Sequence, residues 1–184
     1  MGEYNPICRP NQIIKGTGQI AVVTGWTPKE AIAKHLDPSE YAAIGNLYSP
    51  TRGITPLIRN LLANPHVRHL VLLNATKEDE NAKSIQVFYD FFLNGFQVGK
   101  TDTGRDCWVV NSNNGNGYID YDISQDAINV VRLSICFYLT NTVTACLEKV
   151  KELNTLSPLP TLSNPLILPE TEPVTSVYPG ARYG

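Results

Sequence analysis

At 184 residues, 42% of them hydrophobic and 17% charged, the chain has the composition of an ordinary soluble domain with a tail. A formal net charge of -2 excludes the electrostatic footprint of a non-specific nucleic-acid or anionic-membrane binder. No run reaches the roughly 18 to 20 apolar residues that span a bilayer. The opening MGEYNPICRPNQ lacks a charged stretch followed by an apolar core, so no signal peptide is expected and a cytoplasmic location is.

Residues 10–15 read as a short edge segment, followed by a Gly16-Thr17-Gly18 turn. Gln19 to Thr24, QIAVVT, is the first full strand, and Gly25-Trp26 leads directly from it into Thr27-Pro28-Lys29-Glu30. That tetrapeptide predicts a capped helix start: threonine at the N-cap, proline at the first helical position and glutamate three residues on. This helix ends near Leu36, before Asp37-Pro38.

Tyr41 to Leu47 is a second apolar run, ending in a Gly/Asn/Ser/Pro loop. From Ile54, apolar residues at Ile54, Leu57, Ile58, Leu61 and Leu62 fall on one face of a helix that Asn64-Pro65 stops. Val67 to Leu73, VRHLVLL, lacks alternation, as a strand buried on both faces does. A polar loop, Asn74 to Asn81, is expected next, then a helix with Ile85, Phe88, Tyr89 and Phe92 inward and Gly95 at its C-cap.

Strand, helix, strand, helix with short loops predicts an α/β fold with a mostly parallel sheet. Phe96 to Gly104 reads as loop or weak strand. Cys107–Asn111 and Tyr118–Ile123 flank an Asn/Gly-rich segment and predict an antiparallel hairpin inserted into the α/β frame. Ser124 caps a short helix to about Val131, Leu133 to Leu139 is a strand, and Thr140-Asn141-Thr142 opens a last helix with Val143, Cys146, Leu147, Val150 and Leu153 inward.

Residues 1–155 are therefore expected to form the domain. Residues 156–184 carry six prolines, which excludes a helix or central strand. They read as an extended arm or linker, crossing the domain through Leu166, Ile167 and Leu168, or leading to a further domain of a longer parent.

The four cysteines fit no CxxC metal or redox spacing and read as buried apolar thiols. In a parallel sheet, ligands bind at the carboxyl ends of the strands. That selects the loops Thr24 to Thr27, Asn46 to Gly53, Asn74 to Asn81 and Thr140 to Thr142, and with them Thr24, Trp26, Asn46, Ser49, Arg52, Asn74, Asp79 and Asn141 as ligand-binding candidates. Their hydroxyl and amide groups orient a polar small molecule, Arg52 supplies a cation, and Trp26 offers a face to a planar ring. The competing reading is that Ser49, Thr51, Thr140 and Asn141 only cap helices.

No GxGxxG, GxxxxGK[ST] or GxSxG occurs. His35, His66 and His69 precede strands, the wrong end for chemistry, so no metal and no catalytic residue is expected. Glu78, Asp79 and Glu80 form an acidic cluster whose plainest role is to complement a helix dipole.

Gly45-Asn46-Leu47-Tyr48-Ser49-Pro50-Thr51-Arg52-Gly53-Ile54, followed by Asn64-Pro65 and the strand Leu70 to Leu73, resembles the cobamide-carrying subunit of tetrahydromethanopterin S-methyltransferase. The opening strand Ala21 to Thr24 and the helix ending Phe92-Leu93-Asn94-Gly95 extend the likeness to roughly residues 10–155. It implies a Rossmann-like three-layer fold and a corrinoid or pterin ligand. That family ligates cobalt with a histidine five residues before a helix-opening serine; counting back from Ser84 reaches Asp79. The chain also resembles a cyanobacterial domain family found in proteins labelled thymidylate synthase. None of its cysteines stands in the Pro-Cys-His of that enzyme's nucleophile, so the likeness implies an accessory region.

Two functions follow as expectations. One is a non-catalytic small-molecule-binding domain for a pterin or folate, a nucleotide or a corrinoid-like ligand. The other is an assembly module, in which arm and hairpin mediate self-association or contact a thymidylate-synthase-like partner. If the chain is part of an enzyme, the resemblances imply one-carbon transfer.

Overall fold

The computed structural model describes residues 2–170, and two sheets organise them. The larger contains β1 (Ile13–Lys15), β2 (Ile20–Val23), β3 (Ala43–Gly45), β4 (His69–Leu73) and β8 (Cys136–Thr140), in the order β1-β3-β2-β4-β8. β2, β3, β4 and β8 run parallel, and only β1 is antiparallel, to β3. In register, Val22 lies between Ile44 and Val71, and Leu70 beside Phe137. Every residue of β2 and β4 is buried, which is why neither sequence alternates.

The odd and even side chains of these strands feed separate cores. Ala21, Val23, Leu70 and Leu72 pack with α2 (Ile54–Ala63), α4 (Ser84–Asn94) and α5 (Gln125–Ser134). Ile20, Val22, Val71 and Leu73 pack with α1 (Glu30–Ala33) and α6 (Val143–Asn154). Each fully buried Leu, Ile or Phe in these layers contributes about 1.5–3 kcal/mol.

The smaller sheet is an antiparallel meander of β5 (Phe96–Lys100), β6 (Asp106–Val110) and β7 (Tyr118–Asp120). Arg59, fully buried on α2, ties it in place with ion pairs to Asp120 at 3.1 Å and Asp122 at 2.8 Å. Asp90 holds the Asn-rich loop through Ser112 Oγ at 2.6 Å and Asn114 Nδ2 at 2.7 Å.

The expected hairpin is thus two strands of a three-stranded sheet of its own, and Phe96–Lys100 is its third strand. Asn74 to Asn81 is not a loop throughout: α3 (Lys77–Ala82) begins after Thr76. Its acidic first turn and a Thr76–Asp79 capping box overcame the polar composition. The first helix starts at Glu30 with no side-chain cap, and the Thr27 hydroxyl is buried without a partner. α5 runs on to Ser134, so Leu133 lies on a helix, 82% exposed, and the strand begins at Cys136. Cys136 is exposed, against the expectation of four buried thiols, because it starts an edge strand; Cys8, Cys107 and Cys146 are buried.

The Pro-rich arm lies across the domain for residues 156–170; residues 171–184 fall outside the described range. It is held by its backbone, since proline-interrupted chain keeps free carbonyls. Gln19 exchanges two hydrogen bonds with Leu159, at 2.6 and 3.0 Å, and Arg68 donates to the Pro160 carbonyl. Leu166 N–H donates to Leu62 O at 2.9 Å. Of the three apolar residues expected to anchor it, Leu168 packs on the core, whereas the side chains of Leu166 and Ile167 are exposed.

Candidate functional site

β2 has a parallel neighbour on each side. The helix that follows it, α1, packs in one core, and α4, which follows β4, packs in the other. The loops leaving β2 and β4 therefore part above the carboxyl end of the sheet, where a crevice forms in such topologies. Here Asp79 fills it. Its carboxylate, buried at 1% exposure, accepts from Trp26 N at 2.9 Å, Ala75 N at 3.2 Å and Thr76 N at 3.1 Å. Such converging backbone donors are what a phosphate or carboxylate ligand would use, so the protein supplies its own anion at this point.

Gly25 makes that closure sterically feasible. Its φ is 61°, and a Cβ there would lie 2.2 Å from Asp79 Oδ1. On the other flank Asn46 donates its amide to Thr24 Oγ1 at 3.0 Å, Gly25 O at 2.9 Å and Thr27 O at 2.8 Å. Thr24 is fully buried and donates to Thr27 O at 2.6 Å. Asn46, Thr24 and Asp79 thus sit together as expected, but their polar groups are consumed in fixing loops.

The groups that face outward are different. Trp26 and Tyr48 are 42% and 39% exposed, and their rings meet at 4.6 Å, tilted by 59°. Ser84, at the start of α4, fixes Tyr48 by donating to its carbonyl at 2.8 Å. Beyond Tyr48 a cavity of about 50 Å³ opens, lined by Asn46, Tyr48, Ser49, Arg52, Arg9 and Cys8 among others. Arg9 Nη2 reaches Arg52 O at 3.4 Å, so two guanidinium-bearing residues share the rim.

Asn74 Oδ1 is buried with no hydrogen-bond partner. Asn141 is exposed at the end of β8, beyond Thr140, whose hydroxyl donates to Leu72 O at 2.8 Å. Ser49 hydrogen-bonds Thr51 at 3.1 Å. None of Ser49, Thr51, Thr140 and Asn141 caps a helix: Gly53 precedes α2, and Thr142 is the cap of α6.

Arg9 and Tyr48 escaped the sequence reading. Tyr48 carried a usable signal, being an aromatic inside the loop already selected. Arg9 carried none, because its segment is irregular and is brought to the rim by Asn60, which bonds Cys8 N at 2.9 Å and Cys8 O at 3.0 Å.

His66 and His69 lie at the opposite end of the sheet, and burial lowers the pKa of both. Among the described residues no cluster of three or more His, Cys, Asp or Glu could hold a metal ion, and no helix is long and apolar enough to cross a membrane. In comparisons with known proteins, the chain matches no family model and no curated protein.

Proposed function

We propose that this chain is a Rossmann-like, three-layer small-molecule-binding domain, related to the cobamide-carrying methyltransferase subunit, that takes a planar ligand bearing an anionic group. The observation that carries this reading is the exposed Trp26–Tyr48 pair beside a cavity rimmed by Arg9 and Arg52. A ring stacks on the aromatics, and the anion goes to the arginine rim, where it competes with Glu170 for Arg9. It is not drawn to the crevice itself, where Asp79 already satisfies the backbone donors.

A folate, a nucleotide or a pterin with an acidic side chain meets those requirements. A corrinoid fits less well, because the residue at the cobalt-ligating position is Asp79, whose carboxylate is bound to three amides. No catalytic role is assigned to any residue. The alternative, an assembly module meeting a thymidylate-synthase-like partner through the arm, draws less support: Gln19 and Arg68 engage the arm within its own domain.

A thermal-shift screen of folates, pterins, dUMP and other nucleotides, and cobalamins tests the proposal. One class should raise the melting temperature by several degrees, and Trp26→Ala and Arg52→Ala should each abolish that shift. A shift retained in both variants would place the ligand elsewhere.

A further inference from the structure

We infer that the outer edge of β8 is a homodimer interface, at which two copies join antiparallel into one continuous ten-stranded sheet. The inference is independent of the ligand proposal and starts from backbone geometry. Cys136 N donates to Arg68 O at 2.9 Å and Asn74 N donates to Thr140 O at 2.8 Å, so Cys136 and Thr140 direct their backbone groups at β4. Alternation along the strand directs those of Phe137 and Leu139 the other way. Among the described residues no strand lies there.

The two sheet edges differ in how they are protected. β1 is three residues long, ends in Lys15 and is preceded by a 3-10 turn that starts at Pro10. β8 is five residues long, Cys-Phe-Tyr-Leu-Thr, with no charge and no proline. Edges left in that state pair with another strand. Beside it lies an apolar shoulder: Tyr89 contacts Phe137 at 5.6 Å, Leu93 is one helical turn along α4, and Leu133 is exposed just before the strand.

The occupant this edge fits is a second copy. With Phe137 and Leu139 bonding outward, an antiparallel copy centred on Tyr138 sets Phe137 against the partner's Leu139 and the reverse. Each such pair exchanges two hydrogen bonds. Charge agrees with self-pairing: Lys149, over the Tyr138 ring at 5.1 Å, is neutralised by Glu152 at 3.0 Å, so this flank meets its copy without net charge. The chain's own continuation is less suited. Glu170, the last described residue, pairs with Arg9 near β1, at the far edge of the sheet.

Light scattering on the full chain, of mass 20.3 kDa, tests this directly. A dimer is expected at micromolar concentration, and a monomer throughout would overturn the inference. Leu139→Pro removes an outward N–H that has no partner among the described residues, so it should give a monomer with an unchanged circular dichroism spectrum; a dimer would exclude this edge. Should that variant not fold, Tyr138→Cys decides. On the two-fold axis its Cα lies about 4.5 Å from its copy's, within disulfide range, so oxidation should yield a reducible covalent dimer. Its absence in a dimeric protein refutes the register. Protection of the β8 amides from exchange in a monomeric full chain would assign the edge to residues 171–184 instead.

Discussion

At the amino ends of β2 and β4, Gln19 and Arg68 grip the Pro-rich arm at Leu159 and Pro160. At the carboxyl ends, Asn46 and Asp79 grip the loops beside them instead. Both ends use buried or half-buried polar side chains to hold irregular backbone, which satisfies those groups in turn. They differ in what is left over. The amino end is crossed by the arm, whereas the carboxyl end leaves two aromatic rings exposed beside a cavity that Arg9 and Arg52 line. Polar residues at strand ends therefore identify scaffolding as readily as a binding surface, and the exposed aromatic pair makes the distinction.

The carboxyl end should be the more fragile of the two. Asp79→Ala strips the acceptor from three amides and should cost about 3 kcal/mol in urea unfolding, the penalty for leaving such groups unsatisfied. A loss no greater than that of a surface substitution would mean that the crevice is not held by this carboxylate. Gln19→Ala removes both bonds to Leu159 and should cost about 1–2 kcal/mol. The Leu159 amide, whose partner is Gln19 Oε1, should then exchange faster, while Trp26 and Thr76 amides keep their protection.

A smaller effect separates the ends by pH. Burial holds His66 and His69 below the ordinary value of 6.5, so the folded state favours neutral imidazoles. Their contribution is complete above about pH 6.5 and is lost as pH falls through the lower folded values. The urea midpoint should drop between pH 8 and 5.5, and less steeply in His69→Asn. An equal drop in that variant would remove His69 from the explanation. Smallest of all, Trp26→Ala should change stability by no more than about 0.5 kcal/mol, since its exposed ring carries little of the core.

The alternation of apolar runs and helical stripes made the parallel sheet legible, because β2, β4 and α2 obey local rules that burial reinforces. What local rules missed were competing signals. Lys77–Ala82 looked like a polar loop, although Thr76 and Asp79 stand at capping-box spacing. Thr27-Pro28-Lys29-Glu30 has that spacing too, yet Thr27 turns inward. Leu133 reads as strand by composition and lies on a helix surface. At the site, Thr24, Asn46 and Asp79 were found by their position after strands, but only tertiary contacts disclose that they serve the backbone. Arg9 arrives from a distant, irregular segment, and no spacing in the sequence connects it to Arg52.

The central claim is that the exposed aromatic mouth is where a ligand sits, and tryptophan fluorescence reads it most directly. The chain has two tryptophans, and Trp108 is buried with its indole bonded to Ile123 O at 2.9 Å. Titrating folates and nucleotides should give saturable quenching by one class, abolished in Trp26→Phe and kept in Trp108→Phe. Saturable binding that leaves Trp26 emission unchanged, or quenching that survives Trp26→Phe, would contradict the assignment.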